Sequence, residues 1–384
     1  MYGGFLLFLR LQMYQQDFRQ PIVHQSLAQL SRWPLYGKCM RKALRTVVML
    51  TMLAGSHQLS AQGNGNDSVR RTSFGLEYTS EVQTDCRRVR WDNLLRLQAE
   101  VPLSRTFTFE AASISVVCIG GERLVDDLQS YSNLDAENVL FALAVADFVW
   151  RPNEHHSLFA GLRRMDEDYF SSDGLGLFTN SSCGVFPTLS ANYDIAIYPK
   201  AAMGLHYSYE NENIRLQASL YNGTGHNKFA GRENIYRISP VDDGVFALGQ
   251  AEYRHNGSRY FLGTSVHYSD LWGTAQRKPR PAAWAYIEQA ISSDLTLIAA
   301  YSHAFSADNP CHDYCGIGAT LAFGITTLGA FSNYTRIDGI EEWANELTCD
   351  IAFLDQLSLQ PVLHIITTDG ATKCVGLLRL NVRL

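Results

Sequence analysis

Apolar and polar residues alternate with a period of two through much of this chain, and the pattern is clearest in its last segment. Residues 373–384 place four aliphatic side chains on one face and three polar side chains on the other: Leu378, Leu380, Val382 and Leu384 against Arg379, Asn381 and Arg383. Such alternation predicts a strand with one face in lipid and one face in water, as a barrel in an outer membrane requires.

The same signal recurs along the chain and predicts sixteen strands. They lie near 73–82, 91–101, 106–117, 138–150, 157–164, 199–209, 214–222, 245–255, 259–269, 281–291, 294–303, 315–324, 326–336, 343–353, 357–367 and 373–384. The fold class that follows is all-β, a transmembrane antiparallel β-barrel of about sixteen strands. A soluble β-sandwich with one solvated face is the alternative.

Short turns alternate with longer segments between these strands. The longer segments are 118–137, 165–198, 223–244, 270–280 and 304–314. Bacterial barrels carry short turns on the periplasmic side and long loops on the outside, with both ends of the barrel on the short-turn side. The order of connections therefore predicts which rim faces the cell exterior.

One uncharged stretch, 315–335, is long enough to cross a membrane as a helix. It contains Gly316, Gly318, Gly324 and Gly329. Each glycine within a helix costs about 1 kcal/mol relative to alanine. Two paired strands are the better prediction.

The front of the chain indicates export. Residues 40–61 combine a basic start, a short apolar run and the small residues Ser60 and Ala61, the layout of a secretory signal peptide cleaved after Ala61. Residues 1–39 have no pattern of their own and are interpreted as an over-long start without structure. Residues 62–384 then form the outer-membrane barrel.

Composition agrees with a membrane barrel. Charged residues make up 18% of the chain, with 19 Tyr, 19 Phe and 29 Gly. Loss of residues 1–61 would remove seven Lys/Arg and one Asp, which changes the formal charge from −6 to −12. At that charge nucleic acid is not an expected partner.

The long segment 165–198 contains the candidate chemistry. Two cations, Arg163 and Arg164, are followed by the three carboxylates of residues 166–168 and by two aromatic rings: Asp166, Glu167, Asp168, Tyr169 and Phe170. Opposed charges across a narrow passage can hydrogen-bond to hydroxyl-rich solutes, and aromatic faces can stack on sugar rings. The alternative is an exposed acidic loop. Strand parity adds further candidates for the lumen wall, among them Arg96, Arg215 and Glu252.

Residues 161–223 resemble a known family. Asp166-Glu-Asp-Tyr-Phe170, Leu177-Phe-Thr-Asn-Ser-Ser-Cys-Gly184, Pro187-Thr-Leu-Ser-Ala-Asn192, Tyr198-Pro-Lys-Ala-Ala-Met-Gly-Leu205 and Leu220-Tyr-Asn-Gly223 are similar to the central block of the carbohydrate-selective (OprB-type) porins. The resemblance implies a sixteen-stranded sugar porin whose inward-folded constriction loop includes Asp166–Phe170 and Phe178–Gly184, with Phe178 and Asn180 as candidate channel residues. Cys183, where an aromatic is expected, and the terminal Leu384 depart from the family pattern.

The expected function is passive, selective diffusion of small sugars through a water-filled barrel in the bacterial outer membrane. A general non-selective porin and a closed-lumen barrel serving as a structural or adhesive platform are the alternatives. No nucleophile motif appears, so an enzyme is not expected, and neither is a cofactor or a metal. The expected partners are sugars as solutes and outer-membrane lipid, with a homo-oligomer compatible with the pattern.

The cysteines suggest two disulfide pairs. Cys311 and Cys315 are expected in one external loop, and Cys86 and Cys118 at external strand ends form a weaker second pair. Cys349 and Cys374 fall on the lipid-facing side of their strands and are interpreted as small apolar residues.

Overall fold

The computed structural model describes residues 71–270 and 277–384. The predictions of an over-long start (1–39) and a signal peptide (40–61) lie outside these ranges. The described residues form sixteen strands, as predicted. They are β1 Ser73–Thr84, β2 Val89–Pro102, β3 Phe107–Ile119, β4 Val139–Trp150, β5 His156–Arg163, β6 Ala202–Glu210, β7 Ile214–Asn222, β8 Val245–His255, β9 Ser258–Ser269, β10 Lys278–Ala290, β11 Leu295–Ala304, β12 Cys311–Phe323, β13 Thr326–Ile337, β14 Ile340–Leu354, β15 Leu357–Thr368 and β16 Ala371–Arg383.

Each strand pairs antiparallel with the next, and β16 pairs with β1 to close the barrel. At the closure the backbone N–H of Leu76 donates to the carbonyl of Leu384 at 2.9 Å, and the N–H of Leu384 donates back to Leu76 at 2.8 Å. Closure leaves no unpaired strand edge, which is the condition for strands to cross a lipid bilayer.

The two rims differ as predicted. The short-turn rim carries connections 103–106, 151–155, 211–213, 256–257, 291–294, 324–325 and 355–356. The long-loop rim carries, in order, 85–88, 120–138, 164–201, 223–244, 305–310, 338–339 and 369–370, and β9 ends and β10 begins there. We name residues 120–138 the second loop, 164–201 the third loop and 223–244 the fourth loop.

Side chains separate by strand parity into an apolar exterior and a polar interior. Large apolar side chains are exposed on the outside; examples are Leu97, Phe107, Phe148, Leu216, Leu262 and Ile317. Charged side chains are buried on the inside; examples are Glu81, Asp92, Asp147, Glu288, Glu346 and Arg379. This arrangement matches a barrel with lipid around it and a polar lumen.

Strand β12 begins earlier than predicted, and this changes the cysteine assignment. Cys311 and Cys315 both lie within β12, where the prediction placed an external loop up to 314. A register shift between Cys311 and Tyr314 turns Cys311 inward, where it is buried, while Cys315 is exposed. All seven described cysteines are free, so the Cys311–Cys315 and Cys86–Cys118 pairings are wrong for this structure.

The helices are single turns in the loops, such as Pro187–Ser190, which we name α1. Among the described residues, no helix has the length and apolar character needed to cross a membrane.

Candidate functional site

The third loop folds into the barrel and is fastened to the inner wall by buried carboxylates. The carboxylate of Glu288 on β10 accepts hydrogen bonds from the backbone N–H groups of Gly174 (2.9 Å) and Leu175 (3.1 Å). Glu346 on β14 accepts from the N–H groups of Thr179 (2.8 Å) and Asn180 (3.0 Å). Charge-assisted bonds of this kind are stronger than those between neutral groups, so they hold the loop across the lumen.

Glycine at position 174 is required by the first of these contacts. A Cβ atom placed on Gly174 would lie 2.7 Å from the carboxylate oxygen Oε1 of Glu288. The backbone can therefore approach the wall only where no side chain intervenes.

The underside of the third loop packs on an aromatic inner wall. Its buried apolar side chains include Met165, Tyr169, Phe170, Leu175, Phe178, Phe186 and Leu189. The wall side chains that receive them come from β8 to β13 and include Phe246, Phe261, Trp284, Tyr286, Ile298, Tyr314 and Phe331. Loop and wall together form a hydrophobic core inside the barrel, so this side of the loop is closely packed.

This packing decides the position of the predicted aromatic residues. Tyr169 is fully buried and its hydroxyl lies 2.8 Å from Oγ of Ser219. Phe170 packs against Phe186 and Trp284, and Phe178 packs against Phe331. None of the three rings therefore offers a free face for stacking on a sugar in this conformation. Their role here is to hold the loop in place.

The charged residues at the end of β5 and the start of the third loop contact the wall of β2–β4. Arg163 faces inward at the end of β5 and binds two wall carboxylates. Its guanidinium lies 2.7 Å from Oε2 of Glu110 on β3 and 2.8 Å from Oδ2 of Asp147 on β4. Asp168 of the loop lies 3.7 Å from the same guanidinium, and Arg151 holds the other oxygen of Glu110 at 2.7 Å.

A second group of charges joins the loop to β2. The two terminal nitrogens of Arg96, Nη1 and Nη2, donate to the two carboxylate oxygens of Glu167, at 2.8 and 2.9 Å. Arg164 turns into the loop and binds Glu167 at 2.5 Å and Asp166 at 3.6 Å. The predicted residues Arg96, Arg163, Asp166, Glu167 and Asp168 therefore do come together between the loop and the wall of β2–β5. We call them, with Glu110, Asp147, Arg151 and Arg164, the charged belt.

The loop carboxylates of the charged belt have opposite pKa shifts. Burial raises the pKa of Glu167, but the guanidinium groups of Arg164 and Arg96 outweigh it and lower the pKa to about 2. Burial raises the pKa of Asp168 to about 6, with Arg163 only partly offsetting it. Glu167 therefore stays ionised at any physiological pH, whereas Asp168 titrates close to neutrality.

The remaining predicted residues do not join the charged belt. Asn180 is buried and its side-chain oxygen accepts from the N–H of Ser182 at 2.8 Å, which caps a short turn. The positive charge of Arg215 is close enough to Asp168 to lower the pKa of that carboxyl slightly. Its guanidinium lies 3.7 Å from the carboxylate of Glu210. Glu252 faces inward but is held by Arg254 (2.7 Å) and Arg259 (2.8 Å) in a separate group on the wall.

The second loop also enters the lumen, which sequence reasoning did not predict. The carboxylate of Glu342 accepts from the N–H groups of Leu128 (2.7 Å) and Gln129 (3.0 Å). The N–H of Asn133 donates to the carbonyl of Thr179 in the third loop at 2.7 Å. The side chain of Asn133 is exposed and accepts a bond from Arg379 at 2.7 Å. Both loops thus narrow the barrel together.

A cavity of about 350 Å³ opens beneath the charged belt toward the short-turn rim. Its lining includes Gly75, Arg96, Gln98, Glu100, Glu110 and Arg163. Its volume is within the usual range for small-molecule sites, and polar side chains of both signs line it.

No protein-family model matches this chain, and no curated protein sequence matches it. Solved structures do. The high-pH structure of OprB from Pseudomonas putida is similar over 82% of this chain and 94% of that chain, with a TM-score of 0.68 and 16% identity. The low-pH structure of the same protein has a TM-score of 0.53 and 13% identity over 82% of this chain and 93% of that one.

A second similar protein is a porin from Rhodopseudomonas blastica. One variant of it matches 82% of this chain and all of that chain, with a TM-score of 0.53 and 13% identity. At these identities the likeness is one of fold. The chain therefore has the porin fold, and the resemblance seen in residues 161–223 is confirmed at that level. A closed barrel of this kind with an apolar exterior resides in the bacterial outer membrane.

Proposed function

We propose that this chain is an outer-membrane porin through which small, uncharged carbohydrates diffuse selectively. The observation that carries the proposal is the charged belt. It sets four guanidinium groups, of Arg96, Arg151, Arg163 and Arg164, against five carboxylates, of Glu110, Asp147, Asp166, Glu167 and Asp168.

Nearly balanced charges favour a neutral solute rich in hydroxyl groups over an ion of either sign. Guanidinium groups donate several hydrogen bonds in fixed directions and carboxylates accept them, so a sugar can exchange its water for both kinds of partner. A ring of one sign would instead select ions. The resemblance of residues 161–223 to carbohydrate-selective porins supports the same conclusion.

Liposome swelling tests the proposal directly. Protein extracted from outer membranes would be reconstituted, and entry of glucose, maltose and an amino acid of matched size would be compared. Faster sugar entry is expected. Equal rates would favour a general, non-selective pore, and no entry would favour a closed-lumen platform.

Variants of the charged belt test whether its residues cause the preference for sugar. Arg96→Gln removes the bidentate partner of Glu167 from the passage. We expect it to reduce the preference for sugar over amino acid. Arg336→Gln, an exposed arginine at the long-loop rim on β13, is the matched control and should leave the preference unchanged.

A further inference from the structure

The fourth loop lies against the outside of the barrel. Its Ile235 is fully buried together with Leu162 of β5, and Met203 of β6 packs against the same cluster. Leu162 pairs with Ala146 and alternates along β5 with the inward-facing Arg163, so it points toward lipid. Phe229 stacks on Phe141 of β4 with ring centroids 5.9 Å apart. The loop therefore covers part of the lipid-facing wall of β4–β6 next to the long-loop rim.

The loop also exposes large apolar side chains. Phe229 is 47% exposed, Tyr236 51%, Ile238 66% and Val241 65%. Leu140 and Phe141 on the neighbouring strand are also exposed and extend the surface onto the barrel wall. Exposed aromatic and aliphatic groups at this height are typical of contact with the outer part of a bilayer.

Charged groups surround a cavity of about 960 Å³ beside this apolar surface. The cations of its lining are Lys200, Lys228, Arg232 and Arg237, and its acids are Glu137, Asp194, Glu233, Asp242 and Asp243. Asn138, Thr224 and Asn227 add uncharged polar groups. Lys228 is paired with Glu233 and Lys200 with Asp194, but the pairs are exposed. Exposed ion pairs contribute little, so Lys228 and Lys200 can turn to another anion at small cost.

We propose that the fourth loop and this cavity bind a phosphorylated glycolipid of the outer leaflet. Its acyl chains lie against Phe229, Tyr236 and Ile238. Its phosphates bind Lys228 and Arg232, and its sugar hydroxyls bind the carboxylates and amides of the cavity. A soluble anion would account for the cations but not for the exposed apolar surface beside them. The surface continues the lipid-facing wall, which makes a lipid the occupant rather than a second barrel.

Native mass spectrometry of the detergent-extracted protein tests this assignment. The probe is hexa-acylated lipid A with two phosphates, compared with phosphatidylglycerol, which is anionic but carries no sugar. We expect one retained lipid A and weaker binding of phosphatidylglycerol. Lys228→Gln with Arg232→Gln should lower the apparent affinity for lipid A about tenfold, since two cations near a phosphate are lost.

The matched control is Arg336→Gln with Lys373→Gln, which removes one exposed arginine and one exposed lysine at the same rim from β13 and β16. It should not change lipid A binding. Phe229→Ala tests the apolar contact separately, with Phe305→Ala in the loop 305–310 as its control. Heat-dependent migration on gels reports whether each variant is folded.

Three results would overturn the assignment. They are unchanged lipid A binding in both the double variant and Phe229→Ala, equal loss in the control variants, and equal affinity for phosphatidylglycerol. Retention of two barrels, disrupted by Phe229→Ala, would instead identify a protein interface. None of these outcomes depends on sugar passage, which liposome swelling measures independently.

Discussion

The third and fourth loops leave the same rim one after the other, separated only by the hairpin of β6 and β7, yet they fold in opposite directions. The third loop enters the lumen and the fourth lies on the outside. The third carries many aromatic and aliphatic side chains and meets an aromatic inner wall on β8–β13. The fourth offers Ile235 and Phe229 to an apolar outer wall. Each loop follows a surface that buries some of its apolar residues: most of them in the third loop, and chiefly Ile235 in the fourth.

The two loops also satisfy their backbone groups differently. The third depends on wall carboxylates, Glu288 and Glu346, that are distant in sequence. The fourth depends on local groups; for example, the N–H of Ser239 donates to the side-chain oxygen of Asn222 at 2.9 Å. A loop held by the wall is expected to be rigid, and a loop held mainly by itself can adapt to a ligand.

Removal of an aromatic ring should show the largest difference in stability between the two loops. Phe186 is fully buried and contacts Phe170, Tyr286 and Tyr314. Phe186→Ala should destabilise the third loop by roughly 3–5 kcal/mol, because a large cavity remains in a packed core. Phe229→Ala in the fourth loop, where the ring is half exposed, should cost less than about 1 kcal/mol. Hydrogen exchange of the loop amides measures both costs as a loss of protection relative to the unmodified protein. An equal loss of protection in the two variants would contradict the expected difference between the loops.

Loss of a wall anchor is expected to have the next largest effect. Glu346→Ala removes the acceptor for two backbone N–H groups of the third loop and for the hydroxyl of Thr179. Water can enter the vacated space and satisfy part of these donors, so the net cost should be about 1–3 kcal/mol. The loop should then open more often, and single-channel conductance should rise. Glu346→Gln keeps one acceptor oxygen and should have an intermediate effect. Glu341 is exposed on the same strand, so Glu341→Ala should leave the conductance unchanged. A rise in conductance in this control would show that substitutions on β14 loosen the barrel in general.

A change of one charge in the belt should have a smaller effect. Arg96→Gln leaves the carboxylates of the belt in greater excess, so the passage becomes more negative. The cation-to-anion permeability ratio should rise roughly two- to fivefold, on the order of 0.5–1 kcal/mol for a single charge in a wet passage. Reversal potentials in a salt gradient measure this ratio. If it falls or stays constant, Arg96 does not face the conducting path.

The smallest expected effect is a pH dependence centred on Asp168. Its pKa of about 6 lies above its usual value of 3.8, so the folded loop takes up a proton at a higher pH than the unfolded chain does. This group therefore favours the folded loop increasingly as the pH falls from about 6 to 4. The belt also becomes less negative, so cation preference should decrease between pH 7 and pH 5. Asp168→Asn should remove this part of the change; persistence of the full change would assign it to another group.

The barrel could be predicted because strand alternation is a local signal. Sixteen strands were placed from parity and turn spacing, and only some ends differ, as at Cys311, where a register shift interrupts the alternation. The charged belt was predicted on the loop side because Asp166–Asp168 are adjacent in sequence. Its residues on the barrel wall were mostly not predicted; Glu110 and Asp147 are examples. On β3, Glu110 shares its face with the apolar Ala112 and Ile114, which hides a charge among core residues.

The direction in which a loop side chain points could not be predicted. Tyr169, Phe170 and Phe178 were expected to line the passage, yet they form the core beneath it. The inward path of the second loop depends on Glu342, more than 200 positions away in the chain. Contacts of that range leave no periodic signal in the sequence. A carboxylate at an inward position opposite a long loop, as at Glu288, is the signal that could have found them.

The pairing of β1 with β16 has a kinetic consequence. Every other pair of neighbouring strands is also consecutive in the chain, whereas Thr79 and Asn381, which meet at the closure, are 302 positions apart. The loop-entropy cost of bringing such distant segments together is about 5 kcal/mol, before a constant term. Pairings of long sequence separation form slowly. We expect hairpins to assemble in sequence order and the β1–β16 contact to form last, so that a chain lacking β16 would remain an open sheet with two free edges.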